Sequence, residues 1–497
     1  MSIVSLTSDF PSSTDVKDLR RLANQIGFDI PDDKDADDYL LLLRSLESVM
    51  QFIKDSPDYI PASLKPYPVA ETRMHWKPDP ADNPLNAWSH RCNLRSNACT
   101  SNLLNAIPYR DFPCLTIDAT VVSRILAAGA IIKGSSTCES FCASPLSFTS
   151  ATGPVQNPLL HGYTTGGSSS GSCALVAASV LPLELRSSLG ETSQLAIGSD
   201  QAGSVRIPAC YNGIYGLKPT FGLVPYTGAA SMTPMIDHLG PIASTLEDIA
   251  ALLKIMAGYD GLDSRMTPES PLLDQVKDYP RILADFRTQL STKQEPSRLR
   301  VGLLKESFAV SGISPEVREL VYQSATSFFE AAGAEVVQLS IPMHLDGPSI
   351  WTASTRPSMS GWLCQGKPSG YLSYLAPHIQ PTWPPTQEVY ELLRSSNPAV
   401  VNIILSEKFA NEKFGPAVEA KAHRKVLELR VAYDSAFEAV DVLITPCAPT
   451  IAMPHPKSND EQGNKTSVLE KLSVAVGLTN NTYPFNVTSH PTMSVPC

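Results

Sequence analysis

Apolar residues recur at helical spacing near the start of the chain. Asp15 precedes Leu19, Leu22, Ala23 and Ile26, and a second apolar periodicity runs from Leu40 to Met50. Residues 15–55 are therefore predicted to be helical, with Asp15 as a cap. The pattern then dissolves: Pro57, Pro61, Pro66, Pro68, Pro78, Pro80 and Pro84 crowd residues 56–90, which predicts an extended arm laid over the body of the protein. From Asp118 helical periodicity alternates with short apolar runs. Helices are predicted over 120–128, 174–180, 244–256, 317–332 and 402–438, and strands over 130–132, 195–197, 300–304, 335–339 and 440–446; residues 340–400, interrupted by prolines, read as irregular. Such alternation predicts an α/β protein with a largely parallel sheet between helices. The organisation expected is an N-terminal helical and Pro-rich arm, 1–90, followed by one large domain, 91–497.

Composition narrows the function without choosing it. Lys and Arg number 39 against 49 Asp and Glu, a formal charge of −10, with no basic cluster; a nucleic-acid partner is not expected. No apolar run approaches the roughly 20 residues that span a bilayer, and MSIVSLTSDFPSS lacks the basic-then-apolar pattern of a signal peptide. Ten cysteines scattered through the chain fit reduced thiols better than a disulfide framework. The expectation is a cytoplasmic protein. Cys138 and Cys142 lack a second ligand pair at zinc spacing, so neither metal nor other cofactor is expected.

One local signal is Gly166-Gly167-Ser168-Ser169-Ser170-Gly171-Ser172, which precedes small apolar residues of helical character. A Walker loop would end in Gly-Lys-Ser/Thr; here Gly171 is followed by Ser172 and Cys173, so a phosphate cradle is not indicated. Alone, the segment reads as a Gly/Ser loop without chemistry. The second signal is Ala196-Ile197-Gly198-Ser199-Asp200-Gln201-Ala202-Gly203-Ser204-Val205-Arg206-Ile207-Pro208-Ala209, a strand, a glycine-containing turn and a serine between an acid and an arginine. A histidine-based serine triad is the rival chemistry, but no G-x-S-x-G elbow exists to pair with His161, His238 or His490.

Taken with Gly216-Leu217-Lys218-Pro219-Thr220 and Ile236-Asp237-His238-Leu239-Gly240-Pro241, the two serine segments resemble the amidase-signature family in its motif order. ATVVSRILAAGA ahead of them and NTYPFNVTSHPTMSVP near the end extend the resemblance, and Asn83-Pro84-Leu85-Asn86-Ala87-Trp88 is similar to the arms of longer bacterial and fungal amidases. The resemblance implies a large mixed, mostly parallel twisted sheet covered by helices on both faces. It implies hydrolysis of a carboxylic amide to the acid and ammonia or amine through an acyl-serine intermediate. Ser204 falls at the family nucleophile position and Ser168 at that of the bridging serine. Gln201, Ala202 and Gly203 match the oxyanion hole, Asp200 and Arg206 the pair that fixes the loop, and Lys218 a framework lysine. A serine hydroxyl needs a base, and the family uses a lysine for it, in a segment of the type apolar-apolar-Lys-Asp.

That segment is missing. No lysine lies between Lys77 and Lys133, and the stretch around 99–105, where the Lys-Asp strand belongs, reads CTSNLLN. Arg110-Asp111 is no substitute, because a guanidinium cannot act as a base. The connection Leu185–Gln194 is longer than usual and is expected on the surface, and the family pattern would add at least another strand and helix after Cys497. The readings left open are an amidase acting on a small-molecule amide, a catalytically inactive relative binding in the same cleft, and a defective fragment. Oligomeric state, a homodimer among the options, is not set by the sequence, and no membrane partner is expected.

Overall fold

The computed structural model describes residues 12–57, 61–69, 73–96, 104–108, 117–291, 299–367, 383–456 and 466–497. The chain divides into two compact units, Met1–Ala62 and Ser63–Cys497. Within the second unit Trp88 is buried, and its indole N–H donates to the Glu191 carbonyl at 2.7 Å.

Among the described residues of the smaller unit are the helices Val16–Ile26 and Asp33–Asp55. Asp15 caps the first as expected, accepting from the Asp18 N–H at 3.0 Å while Asp18 answers the Asp15 N–H, a reciprocal pairing that satisfies two otherwise orphaned donors. Leu19 packs on Ala36 and Leu40.

Among the described residues of the larger unit, eleven strands lie among helices, the α/β class expected. They are β1 (His75–Trp76), β2 (Trp88–Leu94), β3 (Leu104–Pro108), β4 (Ala130–Ser136), β5 (Leu195–Ser199), β6 (Tyr215–Lys218), β7 (Leu239–Ala243), β8 (Arg300–Leu304), β9 (Glu335–Leu339), β10 (Val442–Ile444) and β11 (Thr492–Ser494). Hydrogen bonding orders them as β1-β2-β4-β3, β11-β6-β7-β5 and β10-β8-β9. The third sheet is parallel throughout and β3 runs parallel to β4, whereas β11-β6-β7-β5 is antiparallel. The parallel share is thus smaller than helix–strand alternation suggests, since β5, β6 and β7 are joined by irregular connections and a short helix that let the chain reverse. β3 and β5 close their respective sheets and pack side by side.

Between these sheets and the helices sit continuous apolar clusters. One joins Val121, Ile125 and Leu126 of the Thr120–Ala127 helix to Ile132, Ile197 and Leu252. A second joins Ile236, Trp351, Met359, Leu429, Tyr433 and Phe485. Each large side chain so buried contributes about 1.5–3 kcal/mol. The region 340–400 is not irregular as the prolines suggested. It contains the helices Gly347–Leu363, with Pro357 inside, and Gln387–Ser396. The predicted helix over 402–438 is two helices, Pro398–Phe414 and Pro416–Ala439, separated at Gly415 with φ +66°. The 185–194 connection begins with a helical turn, Leu183–Arg186, and is tied down where Glu191 pairs with Lys133 at 3.0 Å. Among the described residues no helix is long and apolar enough to cross a membrane.

Candidate active site

β5 leads into the turn that carries Ser204, the candidate nucleophile. The strand's last residue is Ser199, and the chain bends through Asp200–Ser204 before the short helix Arg206–Tyr211. Asp200 is fully buried and organises the turn: it accepts from the Gly203 N–H at 2.8 Å, the Val205 N–H at 3.1 Å, and Arg206 Nε and Nη2 at 3.0 and 2.9 Å. Burial alone would raise its pKa, but the Arg206 charge and hydrogen bonds, with Asn486, hold the carboxyl well below the usual range. Asn486 donates to Asp200 and accepts from Arg206 at 2.6 Å, and Arg206 Nη1 reaches the Thr482 carbonyl. Gly203 has φ +123°, and a Cβ there would lie 2.5 Å from Thr482 Oγ1, so only glycine fits this bend.

The second loop packs against the first. The Ser169 N–H donates to the Ser204 carbonyl at 3.2 Å. Gly166 has φ +71° and leaves no room for a Cβ beside Pro208, the Gly167–Ser168 peptide is cis, and the all-buried start of the Ser170–Ser179 helix follows. Sequence reasoning did not single out Glu139, which underlies this loop. It is buried and accepts from the Thr149 N–H and Oγ1, each at 2.6 Å, and from Ser170 Oγ at 2.8 Å, while its own N–H donates to the Ser168 carbonyl at 3.2 Å. Burial pushes this carboxyl up to about 7, against the pull of those hydrogen bonds. The only signal in the sequence was an acid within a stretch of small and hydroxyl residues.

The structure brings the two candidate catalytic serines onto adjoining loops, both almost wholly buried. They differ in their surroundings. Ser204 lines a cavity of about 950 Å³ together with Gln201, Ala202 and Gly203. Ser168 Oγ is buried and makes no hydrogen bond to any described residue. The lysines nearest in sequence are engaged elsewhere: Lys133 with Glu191, and Lys218 with the Pro219 carbonyl at 2.9 Å and His238 Nε2 at 3.3 Å. Lys218 is fully buried, and burial with the nearby Arg206 charge lowers its pKa strongly. His238 accordingly sits in a framework pair with Lys218.

Of the three backbone donors expected to form an oxyanion hole, Gly203's is committed to Asp200. Those of Gln201 and Ala202 donate to no described residue. The carbonyl side of the turn is anchored instead: Trp351 Nε1 donates to the Gln201 carbonyl at 3.0 Å and Thr482 Oγ1 to that of Ala202. The Gln201 amide nitrogen reaches Tyr226 Oη at 2.9 Å. The arrangement holds a serine hydroxyl and two free N–H groups at the wall of a cavity, the elements needed for attack on a carbonyl and for holding the charge that develops. Among the described residues no group of three potential metal ligands occurs.

A family model described as Amidase matches residues 109–497. The chain is 32% identical over 455 residues to an enantioselective amidase of Rhodococcus rhodochrous, covering 86% of this chain and 80% of that one. It is 30% identical over 410 residues to a glutamyl-tRNA(Gln) amidotransferase subunit of Synechococcus sp. strain CC9605, covering 81% and 75%. Among solved structures, the corresponding amidotransferase subunit from Thermotoga maritima superposes with a TM-score of 0.59 over 83% of this chain and 80% of that chain, at 22% identity, a likeness of fold.

Proposed function

The chain belongs to the amidase family, and from that premise we propose that its site takes a carboxamide with Ser204 as nucleophile and Ser168 as proton relay, but without the base that would drive the relay. The observation carrying this is the contrast between a fully wired nucleophile turn and an orphaned Ser168 hydroxyl. In the forward reaction Ser204 Oγ attacks the amide carbon, its proton passes to Ser168, and Ser168 passes one to the leaving nitrogen. The amide C–N bond breaks, an acyl-Ser204 ester forms, and water then releases the acid. The N–H groups of Gln201 and Ala202 face the developing oxyanion. No lysine among the described residues bonds to Ser168, and general-base assistance is worth about 10²–10⁴ in rate.

Two measurements test this. A fluorophosphonate is expected to label Ser204, read by peptide mass; labelling that survives Ser204→Ala overturns the nucleophile assignment. Turnover of simple aliphatic and aromatic amides is expected to fall about 10²-fold or more below that of the Rhodococcus relative. Equal turnover would show that a base reaches Ser168 after all.

A further inference from the structure

The cavity beside Ser204 is cationic in a protein whose formal charge is −10. Among the described residues its charged lining is Arg356, Arg394, Lys471 and Glu391. Glu391 stands 3.9 Å from Arg394, and Lys471 donates to the Ser395 carbonyl at 2.6 Å. Arg356 differs from the other two cations: it makes no hydrogen bond or ion pair with any described residue. Arg356 lines the cavity and is itself only partly buried.

Its position is also fixed. Arg356 lies on the Gly347–Leu363 helix between Trp351 and Met359, both buried and both cavity-lining. Trp351 is pinned to the Gln201 carbonyl and stacks on Tyr483 with ring centroids 4.4 Å apart. The helix that holds the guanidinium is thereby tied directly to the turn that holds Ser204. Burial lowers the Arg356 pKa, yet a guanidinium does not give up its proton in a protein. A charge held part-way out of water with no counter-ion among the described residues is unfavourable, and an anion entering the cavity would relieve that cost with paired, charge-assisted hydrogen bonds.

We infer that Arg356 is a specificity-determining residue that receives an anionic group, a carboxylate, on the substrate, so that the site selects carboxamides bearing an acid at their far end. This deepens the amidase reading and rests on it for the amide half of the substrate. A cavity of about 950 Å³ accommodates such a small bifunctional molecule.

Calorimetric titration of the full chain with the monoamides of succinic, glutaric and adipic acid, beside the corresponding neutral diamides, tests this without requiring turnover. At least one monoamide is expected to bind about tenfold or more tightly than its diamide, and Arg356→Gln to bring the two within about twofold. Arg356→Glu is expected to reverse the preference toward a cationic amide such as δ-aminovaleramide. No monoamide binding, equal binding of monoamide and diamide by the unaltered chain, or an unchanged preference in a folded Arg356→Gln overturns the inference. Should neither variant fold, the preference of the unaltered chain still decides: its presence, weakened by salt as a charge contact must be, supports the assignment, and its absence removes it. Failure of the amidase reading is distinguishable: a Ser204 that resists fluorophosphonate with charge-selective binding intact sinks that reading alone, and labelling without charge preference sinks only the role of Arg356.

Discussion

The two serine loops lie against each other, yet they are built on opposite plans. Around Ser204, one buried carboxylate, Asp200, collects two backbone N–H groups, two guanidinium nitrogens and an amide. Around Ser168, the backbone is held as firmly, through Glu139 and Ser169, but the hydroxyl proposed to relay the proton has no partner among the described residues. Scaffold and reactive group therefore separate in the second loop while they coincide in the first. A turn can keep its shape whether or not its side chain is engaged, because different atoms serve the two ends.

The largest expected effect comes from breaking the first plan. Asp200→Ala strands the Arg206 charge in the interior, and breaking a buried pair by removing one partner costs about 3–5 kcal/mol. Denaturant unfolding should show that loss, with fluorophosphonate labelling of Ser204 lost as well. A cost under about 1 kcal/mol, the scale of an exposed ion pair, would mean the turn is held by other means.

Next in size is Glu139. An acid held at about 7 when folded and near 4.5 when unfolded binds more protons folded than unfolded between those values. Its contribution to stability is therefore full below pH 4.5 and is lost as the pH rises through about 7, a change of at most about 3 kcal/mol. The melting temperature of the unaltered chain should fall across that window relative to Glu139→Gln; parallel profiles would show that the carboxyl ionises normally.

The smallest effect separates the loops most sharply. Ser170→Ala removes the hydrogen bond to Glu139 and should cost about 1–2 kcal/mol. Ser168→Ala removes a buried hydroxyl with no partner among the described residues and should be neutral or stabilising by about 1 kcal/mol. If Ser168→Ala instead destabilises as much as Ser170→Ala, a partner for Ser168 exists and the contrast collapses.

How much of this could be read from the chain follows the same division. The two serine segments, the strand before Ser204 and the capped first helix were legible, because each depends on residues close in sequence. The Gly347–Leu363 helix was not. Pro348 sits in its first turn, where a missing N–H costs nothing, and Pro357 is carried by the packing of Trp351 and Met359; both prolines looked like breakers. Arg356 was hidden with it. Glu139 escaped notice because its three acceptor contacts come from Thr149 and Ser170, one upstream of the Gly/Ser loop and one within it. The commitment of Gly203's N–H to Asp200 was also invisible: motif matching names a residue as a donor without saying which atom receives the proton.

Asn486 sets a schedule for the nucleophile turn. Its bonds to Asp200 and Arg206 cross 286 and 280 residues of chain. At bacterial-to-eukaryotic elongation speeds, the ribosome takes roughly 15–60 s to cover such an interval. For that time the buried acid and its arginine exist without the amide that completes them, and contacts so distant form late in any case. The nascent chain therefore carries an unfinished centre until Asn486 has been made, long after Asp200 and Arg206.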